Sequence, residues 1–162
     1  MCIRDRFGHS DGGSIALIAA AKAPSLIHGV ISQAGHIFVE EITLVGIRAA
    51  KERYLTTNFR ERLFKYHDSK VDGIFWAWID IWLSEGFRTW NILPLLPNII
   101  APTLIIQGEK DEYGTLKQVE EVVNRVSGFS QSLIIPDTGH APHKEFSDLI
   151  IKKIRDFINE NC

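Results

Sequence analysis

Gly8-His9-Ser10-Asp11-Gly12-Gly13 is the most informative motif of this sequence. It follows the pattern Gly-x-Ser-x-Gly, in which a serine stands on a sharp turn between a strand and a helix. The next residues, Ser14-Ile-Ala-Leu-Ile-Ala-Ala-Ala-Lys-Ala23, are small or good helix formers, as expected of a helix packed closely on a sheet. We therefore predict that Ser10 is exposed at a helix N-terminus. The alternative is an ordinary Gly/Ser turn that caps a helix.

Composition limits the classes of partner. The chain has 162 residues, 45% of them hydrophobic, and a net charge of −2 with both signs interspersed. It can bury the core of one globular domain and has no basic footprint for nucleic acid or a membrane surface. We therefore expect soluble partners, such as a small molecule, and neither nucleic acid nor a membrane. The sequence does not indicate the oligomeric state.

Three features predict a cytoplasmic location. Cys2 and Cys162 lie at the two ends, which is neither a disulfide framework nor a metal-ligand spacing. No apolar run approaches the ~20 residues that cross a bilayer, and the first residues lack the apolar segment of a signal peptide. We expect no metal site.

Strand and helix patterns alternate along the chain. Apolar runs at 26–33, 103–107 and 132–135 predict strands, and apolar stripes predict helices within 40–90, at 116–126 and at the end of the chain. Such alternation predicts right-handed βαβ units and a mostly parallel, open sheet.

Helical spacing also predicts which side chains point inward. In the region 40–90 it places Ile42, Val45 and Ala49 on one face, and Asn58 is the candidate cap of the next helix. The inward face of the final helix is predicted to carry Phe146, Leu149, Ile150, Phe157 and Ile158.

The segment 72–83 is apolar around most of its circumference. Its two apolar faces carry Ile74, Trp78 and Ile81 on one side and Phe75, Ile79 and Trp82 on the other. Ordinary core packing and a lid over a hydrophobic pocket are both compatible with this pattern.

Ser10, Asp111 and His140 each follow a predicted strand. In an open α/β sheet, ligands bind at the carboxyl ends of the strands, so these side chains are candidates for one site. A serine hydroxyl needs a base of near-neutral pKa to take its proton, and a carboxylate can orient the imidazole of that base. Alternatives within the same loops are Glu109 or Glu112 for the acid and His143 for the base, whereas Asp137 is a candidate turn former.

Three motifs resemble those of the α/β-hydrolase superfamily: Gly8–Gly13, the strand and loop Pro102–Asp111, and Asp137-Thr-Gly-His140. Leu93–Asp111 with Ser-Asp-Gly-Gly is similar to the esterase branch that includes valacyclovir-hydrolase-like enzymes. The resemblance covers nearly everything after Phe7 and corresponds to the second half of a complete family member. It implies an α/β fold with a mostly parallel sheet, flanking helices and a helical cap, and hydrolysis of ester, thioester or amide bonds without a cofactor.

The resemblance also implies roles. Ser10 becomes the nucleophile, His140 the general base, Asp111 the residue that orients it, and the backbone N–H of Asp11 an oxyanion donor. A second donor is expected from a loop that precedes this sequence in the family. Tentative residues of the substrate pocket are His9, His36, Trp78 and Trp82.

The expected organisation has four parts. Residues 1–7, charged where a buried strand is expected, are a scar or a truncated strand; 8–38 and 93–162 form the hydrolase core, and 39–92 the cap. Two other interpretations are a ligand-sensing protein that keeps the three residues without turnover and an inactive fragment. A haloalkane dehalogenase is disfavoured because it requires an aspartate at position 10.

Overall fold

A computed structural model describes residues 5–161, so Cys2, Cys162 and most of the segment 1–7 discussed above lie outside the described residues. Its strands are β1 (Asp5–His9), β2 (Gly29–Gln33), β3 (Thr103–Gly108) and β4 (Ser130–Ile135). Its α-helices are α1 (Asp11–Lys22), α2 (Glu41–Thr56), α3 (Phe59–His67), α4 (Val71–Leu83), α5 (Lys117–Arg125) and α6 (Ser147–Asn161). Val39–Trp90 forms one compact unit, and the rest of the described chain forms another.

The unit outside Val39–Trp90 is built on one parallel sheet in the order β1-β2-β3-β4. This architecture confirms the predicted α/β class. β2 begins three residues later than predicted because residues 24–26 form a turn. β1 lies at an edge of the described sheet, which leaves Arg6 and Phe7 exposed to solvent.

Helices cover both faces of the sheet. On one face, Ile31, Leu104 and Ile106 pack with Ile150 and Phe157 of α6 in the hydrophobic core. On the other face, α1 approaches β2 so closely that a Cβ on Gly13 would lie 2.7 Å from Oγ of Ser32. The small residue that follows the serine motif therefore sets the distance between helix and sheet, as its position in the motif indicates.

The prediction for the final helix is partly wrong. Ile150 and Phe157 are buried, and Ile158 packs against the core, but Phe146 and Leu149 are 40% and 48% exposed. The residues that pack inward recur at helical spacing from position 150. Phe146 precedes α6, and Leu149 lies one residue away from that stripe.

The unit Val39–Trp90 consists of helices, as predicted. In α2 the buried residues include Leu44, Ile47 and Tyr54, whereas Ile42 and Val45 are exposed, so the predicted face is wrong. The buried face includes Tyr54, whose ring stacks on Phe75 of α4 at 3.7 Å and so fixes the orientation of the helix.

Two further details concern this helical unit. Asn58 stands at the start of α3, but its side chain makes no capping hydrogen bond; Oγ1 of Thr57 accepts from the N–H of Phe59 at 3.2 Å instead. In α4, Phe75, Ile79 and Trp82 are buried, whereas Ile74 and Ile81 are exposed. None of the described helices is both long enough and apolar enough to span a membrane.

Candidate active site

Ser10 is the single residue between β1 and α1. Its φ of 57° and ψ of −127° place it in a backbone conformation that L-residues rarely adopt. Its N–H donates to the carbonyl of Gln33 at 2.9 Å, and its own carbonyl accepts from the N–H of Gly13 at 2.8 Å. The turn therefore presents the hydroxyl at the carboxyl edge of the sheet, with the N-terminus of α1 beneath it.

The loops that carry Asp111 and His140 lie against each other. A Cβ on Gly108, at the end of β3, would be 2.2 Å from the carbonyl oxygen of Thr138, so only glycine allows the second loop to cross here. The N–H of Lys110 donates to that same Thr138 carbonyl at 2.9 Å. This crossing brings Asp111 and His140, which are 29 positions apart in the chain, into contact.

A continuous chain of hydrogen bonds joins Ser10, His140 and Asp111. Nε2 of His140 lies 2.9 Å from Oγ of Ser10, and Nδ1 lies 2.9 and 3.0 Å from the two carboxylate oxygens of Asp111. Because a carboxylate only accepts, Nδ1 carries the proton and Nε2 is the acceptor for the serine hydroxyl. The side chain of Asp111 is 2% exposed and that of His140 14%, so water hardly competes for these bonds.

The alternative acids and the alternative base make other contacts. Glu109 accepts from the N–H of Asp137 at 3.3 Å, and Glu112 accepts from the N–H of His140 at 3.1 Å. Asp137, at a φ of 56°, forms a turn and an ion pair with Lys110 at 2.5 Å. Nδ1 of His143 accepts from Nε2 of Gln33 at 2.5 Å.

His9 and His36 flank the imidazole of His140. Their rings lie 5.0 and 6.2 Å from its ring, and each donates through Nε2 to a carbonyl: His9 to His140 at 2.9 Å and His36 to Tyr113 at 3.1 Å. Burial is the main cause that lowers the pKa of both side chains below the usual histidine value. Both are therefore neutral hydrogen-bonding groups at neutral pH.

Known proteins with the same arrangement of elements include hydrolases. The chain is 33% identical to serine hydrolase BPHL of Homo sapiens over 93% of its own length and 53% of the human protein, and the Mus musculus protein gives the same values. A serine hydrolase involved in carbazole degradation superposes with a TM-score of 0.72 at 18% identity, over 96% of this chain and 63% of that one. An esterase from Thermogutta terrifontis gives a TM-score of 0.63 at 21% identity, over 96% and 64%.

The chain shares the fold of these hydrolase structures. It spans about half the length of the curated relatives that it matches. No model of a known protein family matches it. β1, the turn at Ser10 and α1 have the strand-turn-helix arrangement that the Gly-x-Ser-x-Gly motif predicts, and the role of Ser10 as nucleophile stays a prediction.

Asp11 is the first residue of α1. Its N–H is one of the helix-end groups that have no acceptor within the helix, and the helix dipole adds partial positive charge there. The predicted oxyanion donor therefore lies next to the hydroxyl of Ser10.

Trp78 and Trp82, the other predicted pocket residues, belong to the helical unit. Trp82 is 5% exposed and packs on Phe87 and Trp90, with ring centroids 5.0 and 6.0 Å away. Their contact with substrate stays a prediction. Across residues 5–161, no group of three or more His, Cys, Asp or Glu side chains is arranged to hold a metal ion.

Sequence reasoning missed two residues of the site. Gln33 is fully buried, although it is polar and ends a strand, and that combination is a usable signal. Glu112 was considered only as an alternative acid, and its bond to the backbone of His140 depends on a loop conformation that the sequence does not reveal.

Proposed function

We propose that this protein is a serine hydrolase that cleaves a small ester-like substrate (an ester, thioester or amide) through an acyl-enzyme. The observation that carries the proposal is the hydrogen-bond chain from Oγ of Ser10 through His140 to Asp111. The similarity to serine hydrolase BPHL supports the same chemistry. We further propose the cytoplasm as the location, in keeping with the composition of the chain.

The first half of the reaction forms the acyl-enzyme. Nε2 of His140 takes the hydroxyl proton as Oγ of Ser10 attacks the substrate carbonyl carbon, and the N–H of Asp11 donates to the oxygen that becomes negative. Asp111 holds the proton of Nδ1 and stabilises the imidazolium. His140 then protonates the leaving group as its bond to carbon breaks.

The second half returns the enzyme to its starting state. His140 takes a proton from water, the resulting nucleophile attacks the acyl carbon, and the acid product leaves when Ser10 recovers its proton from His140. Every proton moves between groups of this chain, substrate and water, so the sequence of steps needs no cofactor.

A fluorophosphonate probe tests the proposal, because it reacts covalently with an activated serine. We expect labelling of the protein that carries this sequence and loss of labelling in Ser10→Ala. Hydrolysis of p-nitrophenyl butyrate is expected to fall in parallel, by a factor on the order of 10⁶. Labelling that persists undiminished in Ser10→Ala, or a wild-type protein that neither labels nor turns over the ester, would contradict the proposal.

A further inference from the structure

The backbone of His140 is held at both its N–H and its carbonyl oxygen by side chains of residues adjacent to Ser10 and Asp111. Its N–H donates to Oε2 of Glu112 at 3.1 Å. Its carbonyl oxygen accepts from Nε2 of His9 at 2.9 Å. His9 directly precedes Ser10, and Glu112 directly follows Asp111. Ser10 and Asp111 contact the imidazole of His140, and the residue next to each of them contacts the His140 backbone.

His9 is itself fixed in place by a second layer of contacts. Its ring meets the edge of the His143 ring, with centroids 4.9 Å apart, and Nδ1 of His143 accepts from Gln33 at 2.5 Å. Gln33 is fully buried, and its carbonyl holds the N–H of Ser10 at 2.9 Å. One residue at the end of β2 therefore connects the turn at Ser10 to the segment 140–143.

Glu112 reaches the N–H of His140 because residue 139 is a glycine. A Cβ at position 139 would lie 2.9 Å from Oε2 of Glu112 and would push the carboxylate away. The glycine therefore leaves the space that the carboxylate occupies beside the loop.

We propose that His9 and Glu112 are positioning residues, which hold the backbone of His140 so that its imidazole stays between Ser10 and Asp111. The proposal rests on the proposed hydrolase function and adds two residues that act through His140. His140 lies in a loop between β4 and α6, so regular secondary structure does not fix its backbone. A displacement of about 1 Å in a catalytic group can cost on the order of 10²-fold in rate.

The test compares truncated and conservative variants. His9→Ala and Glu112→Ala remove the contacts, His9→Gln keeps an N–H donor at a similar reach, and Glu112→Gln keeps an oxygen acceptor. His28→Ala and Glu160→Ala, at exposed positions outside the site, are matched controls. The measurements are kcat and KM for p-nitrophenyl butyrate, the rate constant of fluorophosphonate labelling, and the proton NMR signal of Nδ1–H of His140.

We expect kcat and the labelling rate to fall about tenfold or more in His9→Ala and about three- to tenfold in Glu112→Ala, with KM nearly unchanged. The glutamine variants are expected to recover most of the rate, and the Nδ1–H signal to broaden only in the alanine variants. If an alanine variant does not fold, His9→Leu or Glu112→Leu, which fill more of the space, replaces it.

Two results would overturn the proposal: alanine variants that react at the wild-type rate, or glutamine variants that lose as much rate as the alanine variants. In either case Ser10→Ala decides what has failed. If the wild type is labelled and Ser10→Ala is not, only the positioning role is wrong. If both are labelled equally, or neither is labelled, the proposed hydrolase function fails together with it.

Discussion

Gly8 lies so close to Gly12 that a Cβ built on Gly8 would be 2.0 Å from the carbonyl oxygen of Gly12. A Cβ built on Gly12, in contrast, meets no described atom within 4 Å apart from its chain neighbours and the backbone of its own helix. The two glycines that flank Ser10 in the motif therefore have different physical roles. The first allows the strand and the helix to approach each other, and the second is not required for space.

We predict that Gly8→Ala and Gly12→Ala have opposite effects on stability. Gly8→Ala forces backbone atoms apart and should lower the free energy of unfolding by about 1–3 kcal/mol or more. Gly12→Ala should leave it unchanged or raise it by up to about 1 kcal/mol, because alanine is the better helix former. Urea denaturation of the two variants beside the wild type measures both values. Equal losses of stability would show that the close approach at Gly8 is not what constrains this turn.

The sequence predicted the fold and the types of residue at the site for a physical reason. Strand periodicity and the Gly-x-Ser-x-Gly turn are local properties, and parallel strands bring their carboxyl ends to one edge. Ser10, Asp111 and His140 could therefore be placed together before their distances were known. In the structure the imidazole of His140 lies 2.9 Å from the hydroxyl of Ser10 and 2.9 and 3.0 Å from the carboxylate oxygens of Asp111.

The contacts around the site could not be predicted in the same way. The bonds of His9 and Glu112 to His140 depend on how two loops cross at Gly108, and no local pattern encodes that crossing. The prediction of the inward face is wrong for α2 and partly wrong for α6, for a related reason. When apolar residues occupy several faces of a helix, as Ile42 and Leu44 do in α2, periodicity does not say which face meets the core.

Asp111→Asn tests the role of the buried carboxylate. Asparagine has the same shape, but the N–H of Tyr113, which donates to Oδ1 of Asp111 at 2.9 Å, favours the amide oxygen at that position. The amide NH2 then faces Nδ1 of His140 and donates to it, so the imidazole is expected to carry its proton on Nε2, the wrong tautomer. The replacement of the equivalent aspartate in a serine protease lowers kcat about 10⁴-fold, and we expect a loss of similar order here. The measurement is kcat for p-nitrophenyl butyrate. The control is Asp137→Asn, an exposed residue paired with Lys110, which should retain kcat within about twofold. Equal effects of the two substitutions would argue against the role of Asp111.

Phe157 and Phe146 were both predicted to point inward, but only Phe157 is buried. The variants Phe157→Ala and Phe146→Ala test this difference through their effect on stability. Phe157 is 1% exposed and lies in the core with Leu104 and Ile106, so its truncation leaves a cavity and should cost about 3–5 kcal/mol. Phe146 is 40% exposed, and its truncation should cost about 1 kcal/mol or less. Chemical denaturation gives both differences. A loss at Phe146 as large as that at Phe157 would place Phe146 in the core after all.

Stability is expected to fall as the pH drops below the usual histidine pKa of about 6.5. Burial lowers the pKa of His36, His9 and His143 in the folded protein, so between 6.5 and their folded values the unfolded chain binds more protons. The free energy of unfolding should therefore be constant above that range and decrease within it.

His36 is the most informative position because it is 4% exposed, donates through Nε2 to Tyr113, and faces His140, Asp111 and Asp11. His36→Gln, which keeps a donor but does not titrate, should flatten the decrease between pH 7.5 and 5.5 in urea denaturation. If the wild type were equally stable across this interval, or more stable at its acid end, the lowered pKa of these histidines would be wrong.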